Sequence, residues 1–323
     1  MKLSRSLLIT TYRLCTVPLR KWDIYRRQQT NECPIGILFY HRVSDHSPTP
    51  WTIGRQQFLK QIRWLSRNFD LISIQEAQRR IRTGNCRPSV CITFDDGYEE
   101  NAEFALPLLA SLNIPTMYYV SQDFLDSDQP FPHDAALGLQ LLPNRSSTLK
   151  RWRGSCIEFG SHSRSHSDLG SITDIPRLYD EIIVAGQNLS QQLDAEIEHF
   201  AFPFGQIENV NEIGVEIARQ SSLKSISFAL GGWNRVGGSP WQLQRMHGDP
   251  SLTRLKNWLS GDPRMLRRPV PHFESSIEIQ SQVRQFLKSK VKVQGASTPQ
   301  TLSPLGFPTL EPSPSSLDTS GTS

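Results

Sequence analysis

From Pro34 onward the chain alternates between short apolar runs and longer amphipathic ones. IGILFYHRV is rich in β-branched and aromatic residues and predicts a strand. In FLKQIRWLSRNF, Phe58, Ile62 and Leu65 recur at helical spacing. LISI reads as a short strand and QEAQRRIRTG as a helix closed by Gly84. SVCITFDDG is then a buried strand running straight into two carboxylates. EENAEFALPLLASL comes next as a helix in which Pro107 predicts a kink or an early end. IPTMYYVS is a strand, and CIEFGSHSRSHSDL a strand ending in a polar, His-bearing loop. Between those two, Asp123 to Gly154 has weak periodicity and reads as an irregular, surface-lying insertion. A long helix from about Ile175 to Leu193 leads to HFAFPFG, a strand with a turn. NEIGVEIARQ is a helix, KSISFAL and WQLQRMHGD are strands, and LTRLKNWLSG is a last helix.

Apolar strands separated by helices indicate an α/β fold with a parallel sheet wrapped by helices. About seven β/α units favour a distorted (β/α) barrel over an open sheet. In such folds chemistry sits at the C-terminal ends of the strands. The polar groups that fall there are His41, Asp95 and Asp96, His162, and the Pro203–Gly205 turn.

The flanks differ from this body. Residues 1–33 form a basic leader and 34–265 the barrel, followed by an extension over 266–289 and a Ser/Thr/Pro-rich tail over 290–323. That tail carries too little apolar surface to offset its ordering entropy, so disorder is expected. The net charge of +4 is mild, and no dense basic stripe with interleaved aromatics points to nucleic acid. Lys2, Arg5, Arg13, Arg20, Lys21, Arg26 and Arg27 crowd the leader. They either favour weak association with an anionic membrane surface or are merely solvated. The apolar run SLLITTYRLCTVPL is interrupted by Arg13, lacks a small-residue cleavage site and is too short to span a bilayer, so the compartment stays open. Five scattered cysteines form no C-x-x-C pair, which argues against a disulfide framework and a thiolate zinc site.

Two constellations carry chemistry. Asp95 and Asp96 end an apolar strand, where adjacent carboxylates are costly unless their charge is compensated. A bound cation would do so, one carboxylate ligating and the other remaining free as a base; a solvated acidic turn capping the next helix is the plainer alternative. His162 and His166 stand four apart, which would put both imidazoles on one face if the segment made a helical turn. A polar loop that happens to hold two of the chain's eight histidines is the alternative. Two imidazoles and a carboxylate would make a three-ligand site with open positions, suited to Zn2+ or another first-row divalent ion.

In combination, T-F-D-D-G at 93–97, H-x-x-x-H at 162–166 and F-x-F-P-F-G at 200–205 resemble the polysaccharide deacetylase family (carbohydrate esterase family 4, the NodB homology domain) over roughly Ile35 to Gly261. The resemblance implies a distorted (β/α) barrel and hydrolytic removal of N-acetyl groups from a carbohydrate such as a GlcNAc-containing glycan. It implies Asp95 as general base, Asp96, His162 and His166 as ligands of a divalent metal, and the Phe204 backbone N–H as an oxyanion donor. F-Y-H-R-V at 39–43 is similar to the N-terminal strand of a circularly permuted branch acting on β-1,6-linked N-acetylglucosamine polymers. That makes His41 the first candidate for the general acid and His247 the second. Many members carry an Arg two residues before the Pro to orient the base, and here that place is Ala201. The departure leaves the tuning of Asp95 open and is the one support for a carbohydrate-binding barrel without turnover. A metal hydrolase of another amide shares every residue. Trp51, Trp233 and Trp241 flank these segments and are candidates for stacking on sugar rings, Trp233 and Trp241 being the two taken as substrate-binding, against the alternative of ordinary packing.

Overall fold

A computed structural model describes residues 2–296 of the chain. Seven parallel strand positions form the body: β1 (Ile35–Tyr40), β2 (Ser89–Phe94), β3 (Thr116–Val120), β4 (Ile157–Ser161), β5 (His199–Ala201), β6 (Ser225–Phe228), and a last strand broken in two as β7 (Gln242–Gln244) and β8 (Met246–His247). The order is β7-β6-β5-β4-β3-β2-β1-β8, all parallel, and the short strand Asp70–Leu71 adds to the start of β2. The last strand pairs Gln242–Gln244 with β6 and Met246–His247 with β1. Its two halves therefore grip opposite edges, and the sheet nearly closes into a barrel. Arg245 marks the change of partner: its N–H donates to Phe228 O and its carbonyl accepts from Gly231 N.

Side-chain alternation assigns the two faces. Ile35, Ile37, Cys91, Met117, Tyr119, Ala201 and Leu243 belong to one buried cluster, joined by Ile74, Ala77 and Ile81 of the helix Ile74–Thr83. That helix plugs the barrel's N-terminal end, where Gln78 donates to the carbonyls of Lys224 and Pro240 just before β6 and β7. Leu38, Tyr40, Val90, Ile92 and Phe94 face the other way, onto the surrounding helices. With its lower end plugged, the barrel opens at the strands' C-terminal ends.

Several expectations need correction. The helix holding Pro107 continues to Ser111, because a π-helical turn over Asn101–Ala105 places the proline in the first turn of the α-helix Leu106–Ser111, where a missing N–H costs little. The insertion is no loose surface loop: Phe131, Leu141 and Asn144 are buried, and Phe131 and Leu141 pack with Tyr98. The basic leader folds as two helices, α1 (Lys2–Cys15) and α2 (Val17–Gln29). A helix over Ile277–Ala296 runs into the segment taken as tail, and the rest of that tail lies outside the described residues. The described cysteines are all free.

Candidate active site

β2 delivers Thr93, Phe94 and then Asp95–Asp96 to the open end, and the chain turns at once. Asp96 and Gly97 both take left-handed backbone (φ 71° and 102°), which glycine adopts freely and aspartate tolerates. A side chain at Gly97 would press on Val120 as well as strain the turn. The turn is fixed from the insertion: Asn144 Nδ2 donates to the Gly97 and Tyr98 carbonyls at 3.0 and 2.7 Å. Both carboxylates are consequently buried.

His162 comes directly after β4. Its Nδ1 lies 2.9 Å from the Ala201 carbonyl, which can only accept, so the proton is on Nδ1 and Nε2 keeps its lone pair. Nε2 sits 3.4 Å from Asp96 Oδ1, and His166 Nε2 sits 3.0 Å from the same oxygen. The loop between them is not the expected helical turn. Ser163 and His166 have φ of 67° and 55°, and the loop is tied from below by Glu181. That buried carboxylate accepts from the N–H groups of Arg164 and Ser165 and from the Ser165 hydroxyl. Glu181 reaches it from a π-helical turn, Asp180–Val184, inside the long helix expected over 175–193.

Asp96, His162 and His166 thus bring three ligand atoms within 4.8 Å of one another, and no other such group of three occurs among the described residues. Asp96 Oδ1 is buried without a hydrogen-bond partner. Burial alone would raise the Asp96 carboxyl, but the facing His166 and His162 outweigh it and hold it well below the usual range. A paired set of this kind, one anionic oxygen and two imidazole nitrogens, fits a divalent first-row ion.

Asp95 has a different partner. Arg245 Nη1 lies 2.5 Å from its Oδ1, with both side chains buried. The guanidinium is flanked by the rings of Phe39 and Tyr119 at 5.1 and 5.2 Å. Burial pushes the Asp95 carboxyl up, and the charge and hydrogen bond of Arg245 more than reverse it, so the group stays ionised. An arginine from the last strand thus pairs with Asp95, where the Ala201 position offers no cation. Sequence reading passed over it, since Q-L-Q-R-M-H by itself does not tell which anion its arginine meets.

These groups share a cavity of about 170 Å3 that is also lined by His41, Trp51, His133, Phe202 and Phe204. His41 directly follows β1 with its Nδ1 buried and unpartnered, and burial pushes its imidazole below the ordinary value despite the pull of Asp96 and Asp95. His247 is outside this lining; its ring is 6.3 Å from that of His41, with Phe39 beside both. Phe204 (φ 60°) exposes its ring at the rim, 5.0 Å from that of His166. Trp51 and His133 complete the wall, both bonded to the Tyr98 hydroxyl, which donates to Asp134 at 2.7 Å. Neither of the two tryptophans taken for sugar stacking is here. Trp233 is 1% exposed, wedged against Gly36 in the outer core, and Trp241 lies at the start of β7, the opposite end of the barrel, donating to Leu223 O. Trp51 is the tryptophan that reaches the cavity.

Residues 82–226 match the family model described as polysaccharide deacetylase. No curated protein sequence matches the chain. Among solved structures, the chain is similar to IcaB from Ammonifex degensii (20% identity, TM-score 0.60, 71% of this chain and 97% of that one). It is similar also to the Streptococcus pyogenes deacetylase PplD in complex with acetate (19% identity, TM-score 0.58, 71% and 97%). A de-N-acetylase from Aggregatibacter actinomycetemcomitans is similar at 19% identity and TM-score 0.57, over 69% of this chain and 99% of that one. At such identities the structural likeness speaks for the barrel, while the matched segment, which holds the carboxylate pair, both histidines and the F-P-F-G turn, speaks for lineage. On these grounds residues 82–226 are similar to the polysaccharide deacetylase family, and the chain shares the barrel of the solved deacetylases.

Proposed function

We propose that the chain removes N-acetyl groups from a GlcNAc-containing glycan by metal-dependent hydrolysis. The observation that carries this reading is one cavity in which a carboxylate kept ionised by Arg245 adjoins a three-ligand set built from its neighbour Asp96, His162 and His166. When bound there, a divalent ion, with zinc the best match to the donors, would polarise the amide carbonyl and acidify a water. Asp95 takes the proton of the attacking water, for which its ionised state is required. The Phe204 backbone N–H, carried on a left-handed turn at the rim, donates to the carbonyl oxygen as negative charge develops on it. His41 shares the cavity with Asp95 and protonates the leaving amine; His247, behind Phe39, supports that strand end instead. Acetate and a free amine result. Trp51 offers the aromatic face for the sugar ring.

The alternative of a binding barrel without turnover rested on Ala201, and Arg245 removes that support. The reading is tested by acetate release from N-acetylglucosamine oligomers, using metal-stripped protein with and without added zinc and a His162→Ala control. Zinc-dependent release that the control lacks is expected. Protein that binds zinc yet releases no acetate from any N-acetylated glycan would overturn the substrate class.

A further inference from the structure

We infer that α1 and α2 form a docking face for an anionic phospholipid bilayer, on the end of the barrel away from the cavity. The helix pair is wired into the fold. Arg20 is buried and donates to Asn257 O and Oδ1 at 2.7 and 2.8 Å, and Tyr12 donates to Asp262 while lying under the Arg264 guanidinium. Beyond α2, Asn31 and Cys33 bond to the Asn85 backbone just ahead of β1 and β2, so the pair meets the barrel at its N-terminal end.

Its outer side has no such partners. Leu7, Leu8 and Leu14 on α1, and Leu19, Trp22 and Tyr25 on α2, are between 53% and 69% exposed. Positions 7, 8 and 14 fall within one stripe of α1, as do 19, 22 and 25 on α2. These six are half of the twelve exposed large apolar residues among the described residues, which is a concentration and not the usual scatter. Tryptophan and tyrosine are the side chains that favour a membrane–water boundary.

Charge names the occupant. The first 30 residues hold seven cations and one acid, a net +6 within a chain whose total is +4. A second copy docked face to face would bring two such segments together, whereas an anionic lipid surface complements them. Beneath the pair lies a cavity of about 470 Å3 lined by Arg13 and Lys21 beside Val17, Ile24, Trp64 and Phe69, a cationic edge over an apolar recess that suits a phospholipid headgroup and the top of its acyl chains. No described helix is long and apolar enough to cross a membrane, so the contact is interfacial. A six-residue strand rises on the order of 20 Å, which sets the cavity mouth well clear of the docked end.

The test is co-sedimentation of the full chain with vesicles of phosphatidylcholine alone and of phosphatidylcholine mixed with phosphatidylglycerol. Partition into the mixed vesicles at least ~10-fold stronger than into the neutral ones is expected, falling as salt is raised. Leu8→Ser with Trp22→Ser, both exposed and remote from the cavity, should weaken it by about 10-fold or more at an unchanged melting temperature. No partition into anionic vesicles would overturn the inference, and so would partition indifferent to the double variant. Dimerisation abolished by that variant without any vesicle binding would overturn it in favour of a second copy. Partition is not read through turnover, so its failure leaves the deacetylase reading untouched.

Discussion

Asp95 and Asp96 are adjacent in sequence yet face different partners, and this division is the residue-scale fact on which the site turns. Arg245 holds the first and two imidazoles face the second. Asp95→Asn should therefore keep the metal and lose turnover, whereas Asp96→Ala should lose metal affinity, as read by equilibrium dialysis beside acetate release. Equal metal loss in both would refute the division. Arg245→Met removes the charge that keeps Asp95 below its ordinary value of 3.8. In the proposed mechanism activity needs ionised Asp95, so the acid limb of the pH–rate profile should move to higher pH. Removing one partner of a buried pair also costs about 3–5 kcal/mol of stability, measurable by urea unfolding. The sign is set by the depressed carboxyl: its contribution is present above the ordinary value and is lost as pH falls through the lower, folded one. An unmoved acid limb would mean that Arg245 only fills space. The carboxylates and histidines were legible because each stands in a compact string; Arg245 was not, because its meaning depends on a partner 150 positions away.

Among the elements, the strands were the plainest to read, since each is a continuous apolar run bounded by polar residues. Irregular backbone escaped. The loop from His162 to His166 has the spacing of a helical turn, but two left-handed residues and three bonds to Glu181 give it another shape. Spacing alone could not report this, because Glu181 arrives through a π-helical turn that has no periodic signature. The same holds for the insertion, whose weak periodicity hid Asn144 and Phe131 beneath the Asp96–Gly97 turn. Glu181→Ala releases the loop and with it His166. Metal affinity should fall by roughly 10–100-fold, the cost usual for a residue supporting a ligand, while Asp95 remains paired with Arg245. Calorimetric zinc titration checks this. Affinity equal to that of the unchanged protein would show that the backbone holds the loop without the carboxylate.

At the scale of the whole molecule, the near-closure of the sheet was legible from the count of β/α units, but its manner was not: one strand changes partner at Arg245, so the residue that pairs Asp95 also marks the seam. The N-terminal segment was read as a leader because its apolar run is short and its cations are many. A sequence window cannot see that Arg20 has a buried receptor in Asn257, 237 positions later. The helix pair is consequently part of the fold and its loss should be felt as stability. Arg20→Ala removes two buried hydrogen bonds from a charged donor and leaves the Asn257 carbonyl and amide oxygen without them. Bonds to charged groups contribute about 1.5–3 kcal/mol each, so a loss on the order of 3 kcal/mol is expected in urea unfolding. Turnover per folded molecule should stay unchanged, since this network adjoins the plugged end and not the cavity. If the unfolding midpoint is unmoved, the helices only rest on the barrel; if it falls while turnover holds, they brace the barrel from the end opposite its chemistry.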